Sequence, residues 1–136
     1  MIHYQADPDL AGVYLIEPEC YGDARGYFAE TYRTADFAAN VAPRPWVQEN
    51  ESSFRGVLRG LHLQRGEASQ AKLVRCVVGE IIDLIVDLRR DSDTYGQWRS
   101  YHLSEQNHRQ LYIPREFAHG FLVLSERAKF LYKVDN

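Results

Sequence analysis

The feature that most constrains this chain is a period-two alternation of apolar and polar residues, cut into short runs by Gly, Pro and polar turns. It is clearest at 81–88, where Ile82, Leu84, Val86 and Leu88 share one face and Ile81, Asp83, Ile85 and Asp87 share the other. In an open sheet Asp83 and Asp87 would face water. In a barrel with a ligand cavity the same face would look inward at a polar site, and the alternation alone leaves both readings open. Comparable runs predict strands over 12–16, 26–32, 46–52, 58–64, 71–78, 80–88, 97–103, 109–113, 120–124 and 128–133. Nine Tyr, six Phe and two Trp, with many Val, Ile and Leu, suit such a pleated, half-buried surface. One helix is expected, with Thr34 capping 35–40 and Pro43 and Pro45 ending it. No repeat, low-complexity tract or linker divides the 136 residues. The chain therefore reads as a single all-β domain over 1–136, a barrel or jelly roll with one short helix near 34–40.

Composition narrows the function. Apolar residues at 45% and charged residues at 26% are the balance of a folded globular chain rather than a disordered one. A formal net charge of -3 supplies no field toward nucleic acid or anionic lipid, so neither is expected as a partner. No apolar run approaches the roughly 20 residues needed to cross a bilayer. The first residues have no basic segment leading into an apolar one, so no signal peptide is expected. Cys20 and Cys76 form neither a CxxC spacing nor a disulfide framework, and two reduced thiols in a cytoplasmic protein are the expectation.

Three clusters carry residues with chemical potential. The first runs from Arg59 through His62 and Gln64 to Lys72. A His between leucines is most often a hydrogen-bonded core residue, but lysine is almost never fully buried without a partner, and Lys72 opens a strongly apolar strand. Its plain alternative is a stem that reaches back to solvent. Strict alternation would put Arg59 and His62 on opposite faces, so both reach one site only if Gly60 permits a bulge. The second cluster is 112–121, where Pro114 opens a turn, His119 can serve at a barrel mouth, and Gly120 admits a close neighbour. The third is Phe130-Leu131-Tyr132-Lys133, in which Tyr132 is read either as a core aromatic with a satisfied hydroxyl or as an acid facing the barrel interior. A metal is not expected. The HxH pair that would begin a His-rich ligand set is here His62-Leu63-Gln64, Lys72 is a poor ligand while protonated, Glu67 has no matching partner, and His102 and His108 do not restore the set. Acid–base chemistry is then the natural work of His, Lys and Tyr.

These segments, taken in order, resemble the dTDP-4-dehydrorhamnose 3,5-epimerases. The motifs are DARGYFAE at 23–30, QENES at 48–52, RGLHLQ at 59–64, KLVR from Lys72, GEIIDLIVDLR from Gly79, the turn at 92–98, and IPREFAHGFLVLS from Ile113. The resemblance implies a cupin-type double-stranded β-helix that works without metal or other cofactor, usually as a homodimer exchanging N-terminal strands. It implies a dTDP-4-keto-6-deoxyhexose as substrate. His62 would be the base that removes the C3 and then the C5 proton, Tyr132 the acid on the opposite face, and Lys72 the cation at the enolate oxygen. Arg25 and Arg59 would hold the diphosphate or sugar, and Phe28, Glu30, Gln48, Asn50 and His119 would line the pocket.

The family pattern normally continues past position 136, with an aromatic near the nucleotide, further charged ligands and an Asp that pairs with the base. The expectation is a chain without that tail. Asp83 is the internal residue to examine as a substitute, the plainer reading being an outward or structural Asp. Two alternatives follow: an enzyme that inverts one carbon or isomerises the ketone, and a non-catalytic cupin that binds the sugar nucleotide.

Overall fold

The computed structural model describes residues 1–55 and 69–136 together with the backbone of 58–62. The described strands are β1 (Ile2–Ala6), β2 (Tyr14–Pro18), β3 (Cys20–Asp23), β4 (Gly26–Ala29), β5 (Gln48–Phe54), β6 (Leu58–His62), β7 (Lys72–Val78), β8 (Glu80–Asp87), β9 (Trp98–Ser104), β10 (Gln110–Ile113), β11 (Phe117–Val123) and β12 (Ala128–Val134). The helix α1 (Thr34–Asn40) follows β4. Six strands form one sheet in the order β1-β2-β10-β7-β12-β5, and four form a second in the order β6-β11-β8-β9. All described pairings are antiparallel. The architecture is the jelly roll that the alternation points to.

The main core lies between the two sheets. Val74, Cys76, Leu111, Ile113 and Phe130 of the six-stranded sheet pack there with Ile81, Ile85, Leu103, Phe117 and Val123 of the four-stranded sheet. Period two decides the rest: Leu73 and Tyr112 point out of the opposite face of the larger sheet, where Phe37 of α1 covers them. Phe37 meets Tyr112 and Trp46 edge-on, with ring centroids 5.5 and 5.6 Å away. On β8 the two open readings resolve inward, since Ile81, Asp83, Ile85 and Asp87 are all fully buried. Asp87 is satisfied there by Arg89, Ser92 and Thr94. Burial alone would raise its pKa, but those hydrogen bonds hold the carboxyl well below the usual range.

Asp135 fastens the end of β12 to the loop before β7. It accepts the Ala71 N–H at 2.8 Å and pairs with Arg44 at 3.4 Å and Arg115 at 3.1 Å. Lys72 therefore starts its strand from a clamped position. Gly79, between β7 and β8, has φ +78. A Cβ there would run into the Arg127 carbonyl oxygen and the Ser125 hydroxyl that accepts the Glu80 N–H. Gly79→Ala is expected to cost about 3 kcal/mol through strain and this clash, readable as a lower urea midpoint with an unchanged slope.

Three local expectations are corrected. Thr34 is the first helical residue rather than the cap; Arg33 occupies the cap position without a side-chain bond. The strand expected at 120–124 begins earlier, at Phe117, because His119 pairs with both neighbouring strands. β1 and β3 were not expected. All four residues of β3 are exposed, and β1 brings only Ile2 and the half-buried Tyr4 to the core, a face of two residues. Cys20 and Cys76 are free thiols, the first exposed and the second buried, where burial pushes its pKa up to about 11. No helix among the described residues is long and apolar enough to cross a membrane.

Candidate active site

Between the sheets, near the start of β7, lies a cavity of about 110 Å³ lined by Ser52, Phe54, Lys72, His119, Phe121, Phe130 and Tyr132. Each side chain arrives by strand alternation. On β7, Lys72, Val74 and Cys76 share the inward face; on β12, Phe130, Tyr132 and Val134 do. Lys72 sits opposite Val134, and Tyr132 opposite Val74, so the two polar residues are diagonal neighbours. The Lys72 Nζ stands 5.9 Å from the Tyr132 ring centroid. Burial lowers the Lys72 pKa and the negative charge of Asp83 opposes that shift. Asn50 pairs in register with Tyr132 and Gln48 with Val134, and the Gln48 amide donates to Asn50 Oδ1 at 2.9 Å. The row therefore continues past the cavity as a polar strip.

The four-stranded sheet supplies the facing wall. His119 and Phe121 point inward from β11, and their rings flank Phe130 at 6.1 and 4.9 Å in near-parallel stacks. His119 Nε2 lies 2.8 Å from Asp83 Oδ2, and both side chains are buried. In β6, position 62 pairs with His119 and position 59 with Phe121. Two residues of β11 thus span three of β6, a register shift at Gly60-Leu61. This is the bulge that bringing Arg59 and His62 to one site requires. The side chains of Arg59, His62 and Gln64 lie outside the described residues.

Other expected ligands lie elsewhere on the chain. Arg25 is 91% exposed at the turn of the β3–β4 hairpin, bound to Asp23 at 2.7 Å. Phe28 is 69% exposed, and Glu30 pairs with Arg33 beyond the hairpin. None of the three lines the cavity. Asp83 is fully buried rather than outward, and it is engaged with His119. Ser52, Phe54, Phe121 and Phe130 complete the lining without having been singled out from sequence. Their signal is their place on the inward face, which is legible only once the strand pairing is known. Among the described residues, no three His, Cys, Asp or Glu side chains come together as a metal-binding group.

The model of the family described as dTDP-4-dehydrorhamnose 3,5-epimerase matches residues 7–136. The chain belongs to the dTDP-4-dehydrorhamnose 3,5-epimerase family. The enzyme of that name from Salmonella typhimurium is 52% identical over 129 residues, covering 93% of this chain and 70% of that protein. The one from Methanothermobacter thermautotrophicus is 55% identical over 125 residues, covering 91% and 67%. The crystal structure of dTDP-6-deoxy-D-glucose-3,5-epimerase from Legionella pneumophila, in complex with dTDP-4-keto-L-rhamnose, superposes with a TM-score of 0.93. It is 40% identical and is matched over 100% of this chain and 72% of that one. Like the rest of the 3,5-epimerase family, this chain is an isomerase built on a cupin-type β-sandwich.

Proposed function

We propose that the chain inverts C3 and C5 of dTDP-4-keto-6-deoxyglucose, giving dTDP-4-keto-L-rhamnose. The observation that carries this reading is the division of the acid–base pair between opposing sheets. Tyr132 belongs to the six-stranded sheet and position 62 to β6 of the four-stranded one, where it pairs with His119, with Lys72 beside the tyrosine. A stereocentre inverts when a proton leaves one face and returns to the other, so base and acid must stand on opposite sides of the ring.

His62 takes the proton at C3 or C5, and the C–H electron pair moves into an enolate whose charge rests on the C4 oxygen. An imidazole has the right starting pKa for such a base. The Lys72 ammonium stabilises that oxygen as its charge develops, the kind of electrostatic contribution worth about 3 kcal/mol per donor. The Tyr132 phenol returns a proton to the opposite face and is reprotonated from solvent. Arg59 suits the diphosphate because its guanidinium binds two oxygens at once. Gln48, Asn50 and His119 hold sugar or nucleotide groups along the polar strip.

Arg25, Phe28 and Glu30 act in a second copy of the chain. The β3–β4 hairpin leaves Tyr21, Tyr27 and Phe28 exposed, and an isolated two-stranded hairpin is marginal in water, which supports a homodimer that covers it. The compartment that suits two free thiols is the cytoplasm. Tyr132→Phe separates the steps. It should leave deuterium exchange from solvent within about 10-fold of wild type while inversion falls about 10²-fold or more, measured by NMR of the sugar protons. Equal losses in both would remove Tyr132 as the acid.

A further inference from the structure

Asp83 is the fully buried charged group at the cavity that the reaction above does not use. Its Oδ2 lies 2.8 Å from His119 Nε2, and its Oδ1 has no hydrogen-bond partner among the described residues. It stands on the inward face of β8, opposite Phe121 of the cavity wall. A carboxylate in so apolar a setting is costly unless a cation answers it. Two candidates line the cavity beside it, the His119 imidazole that it contacts and the Lys72 ammonium, and both act on its charge.

We infer that Asp83 is a positioning residue with two duties: it holds His119 with the proton on Nε2, and it keeps Lys72 protonated inside the barrel. This rests on the role proposed above for Lys72. The first duty follows from the bond itself. An ionised carboxylate only accepts, so Nε2–H is the donor and the neutral ring keeps Nδ1 free to accept from a sugar hydroxyl. The second follows from charge. Lys72 pays for burial with a lowered pKa, and Asp83 is the anion that opposes that shift. The other polar groups described around Lys72 are His119 on β11, Tyr132 on β12 and Ser52 on β5. Across from Lys72, β10 presents the apolar Ile113. None of these described neighbours is a carboxylate. Burial also pushes the Asp83 carboxyl up, while His119 and Lys72 pull it down.

The test is a direct titration by ¹⁵N and ¹³C NMR of the His119 ring and the Lys72 side chain, in wild type and Asp83→Asn. The expected wild-type result is a neutral His119 protonated at Nε2 and a Lys72 that stays charged through neutral pH. In Asp83→Asn the Lys72 pKa should fall by about one unit or more, and the His119 ring should lose its single tautomer. The alkaline limb of kcat should move down by the same amount, and KM should rise as His119 loses the tautomer that accepts from the sugar. A wild-type His119 protonated at Nδ1 would overturn the inference even if the variant fails to fold. So would a folded Asp83→Asn with an unmoved Lys72 titration and only a lower Tm. The NMR readings do not depend on turnover, so a wild type that titrates as described but leaves the sugar unchanged sinks the reaction and not the role of Asp83.

Discussion

Replacing His62 with alanine is expected to lower solvent exchange at C3 and C5 by about 10³-fold, with Tm shifted by only a few degrees. The magnitude is that of a lost general base. It should not fall to the bottom of the usual range, because nothing else in the described cavity can take its place. Lys72 must stay protonated to stabilise the enolate, Tyr132 stands in the other sheet, and His119 is engaged by Asp83. KM should change little, since a base that touches only the reacting C–H adds little to ground-state binding. The check is exchange kinetics in deuterated buffer beside a thermal melt. Exchange within 10-fold of wild type would remove His62 as the base.

Lys72→Met should be nearly as damaging to kcat, about 10²- to 10³-fold, for a different reason. Methionine fills most of the same volume but offers no charge to the C4 oxygen, so the loss falls on the transition state. The wild-type pH dependence carries the sign. Burial depresses the Lys72 pKa and the active form is the protonated one, so the Lys72 contribution is present below that lowered value and lost as pH rises through it, while the low-pH side is set by the base, which must be unprotonated. Lys72→Arg, which stays charged throughout, should lose the alkaline limb whatever its absolute rate. An alkaline limb unchanged in Lys72→Arg would assign that ionisation to another group.

The sequence carried the fold well where burial writes a pattern. The β8 alternation marks its two faces, and only the pairing with β11 tells which of them is inside. The Gly60 bulge was legible as a requirement, because Arg59 and His62 are three residues apart and a strand alternates in twos. β1 and β3 are hard to read for the opposite reason: β3 is wholly exposed, and the alternation of β1 is short and brings only Ile2 and the half-buried Tyr4 to the core. Of the site, Lys72, Tyr132 and His119 come together on facing sheets as the motifs imply. Arg25, Phe28 and Glu30 carry motif signals as strong, yet they sit on an exposed hairpin, because motif order records a family's chemistry and says nothing about which copy of the chain supplies each group. From sequence, Asp83 reads first as an outward or structural Asp. An aspartate on an alternating strand looks the same whether it meets water or a buried histidine.

The central claim is that acid and base act from opposite sheets on a single keto sugar. Its most direct test is incubation of the full chain with dTDP-4-keto-6-deoxyglucose in deuterated buffer, followed by mass and proton NMR at C3 and C5. The account predicts deuterium at both carbons with inverted configuration. Deuterium at one carbon would restrict the chain to a single inversion, and a bound sugar nucleotide that takes up no deuterium would contradict the account.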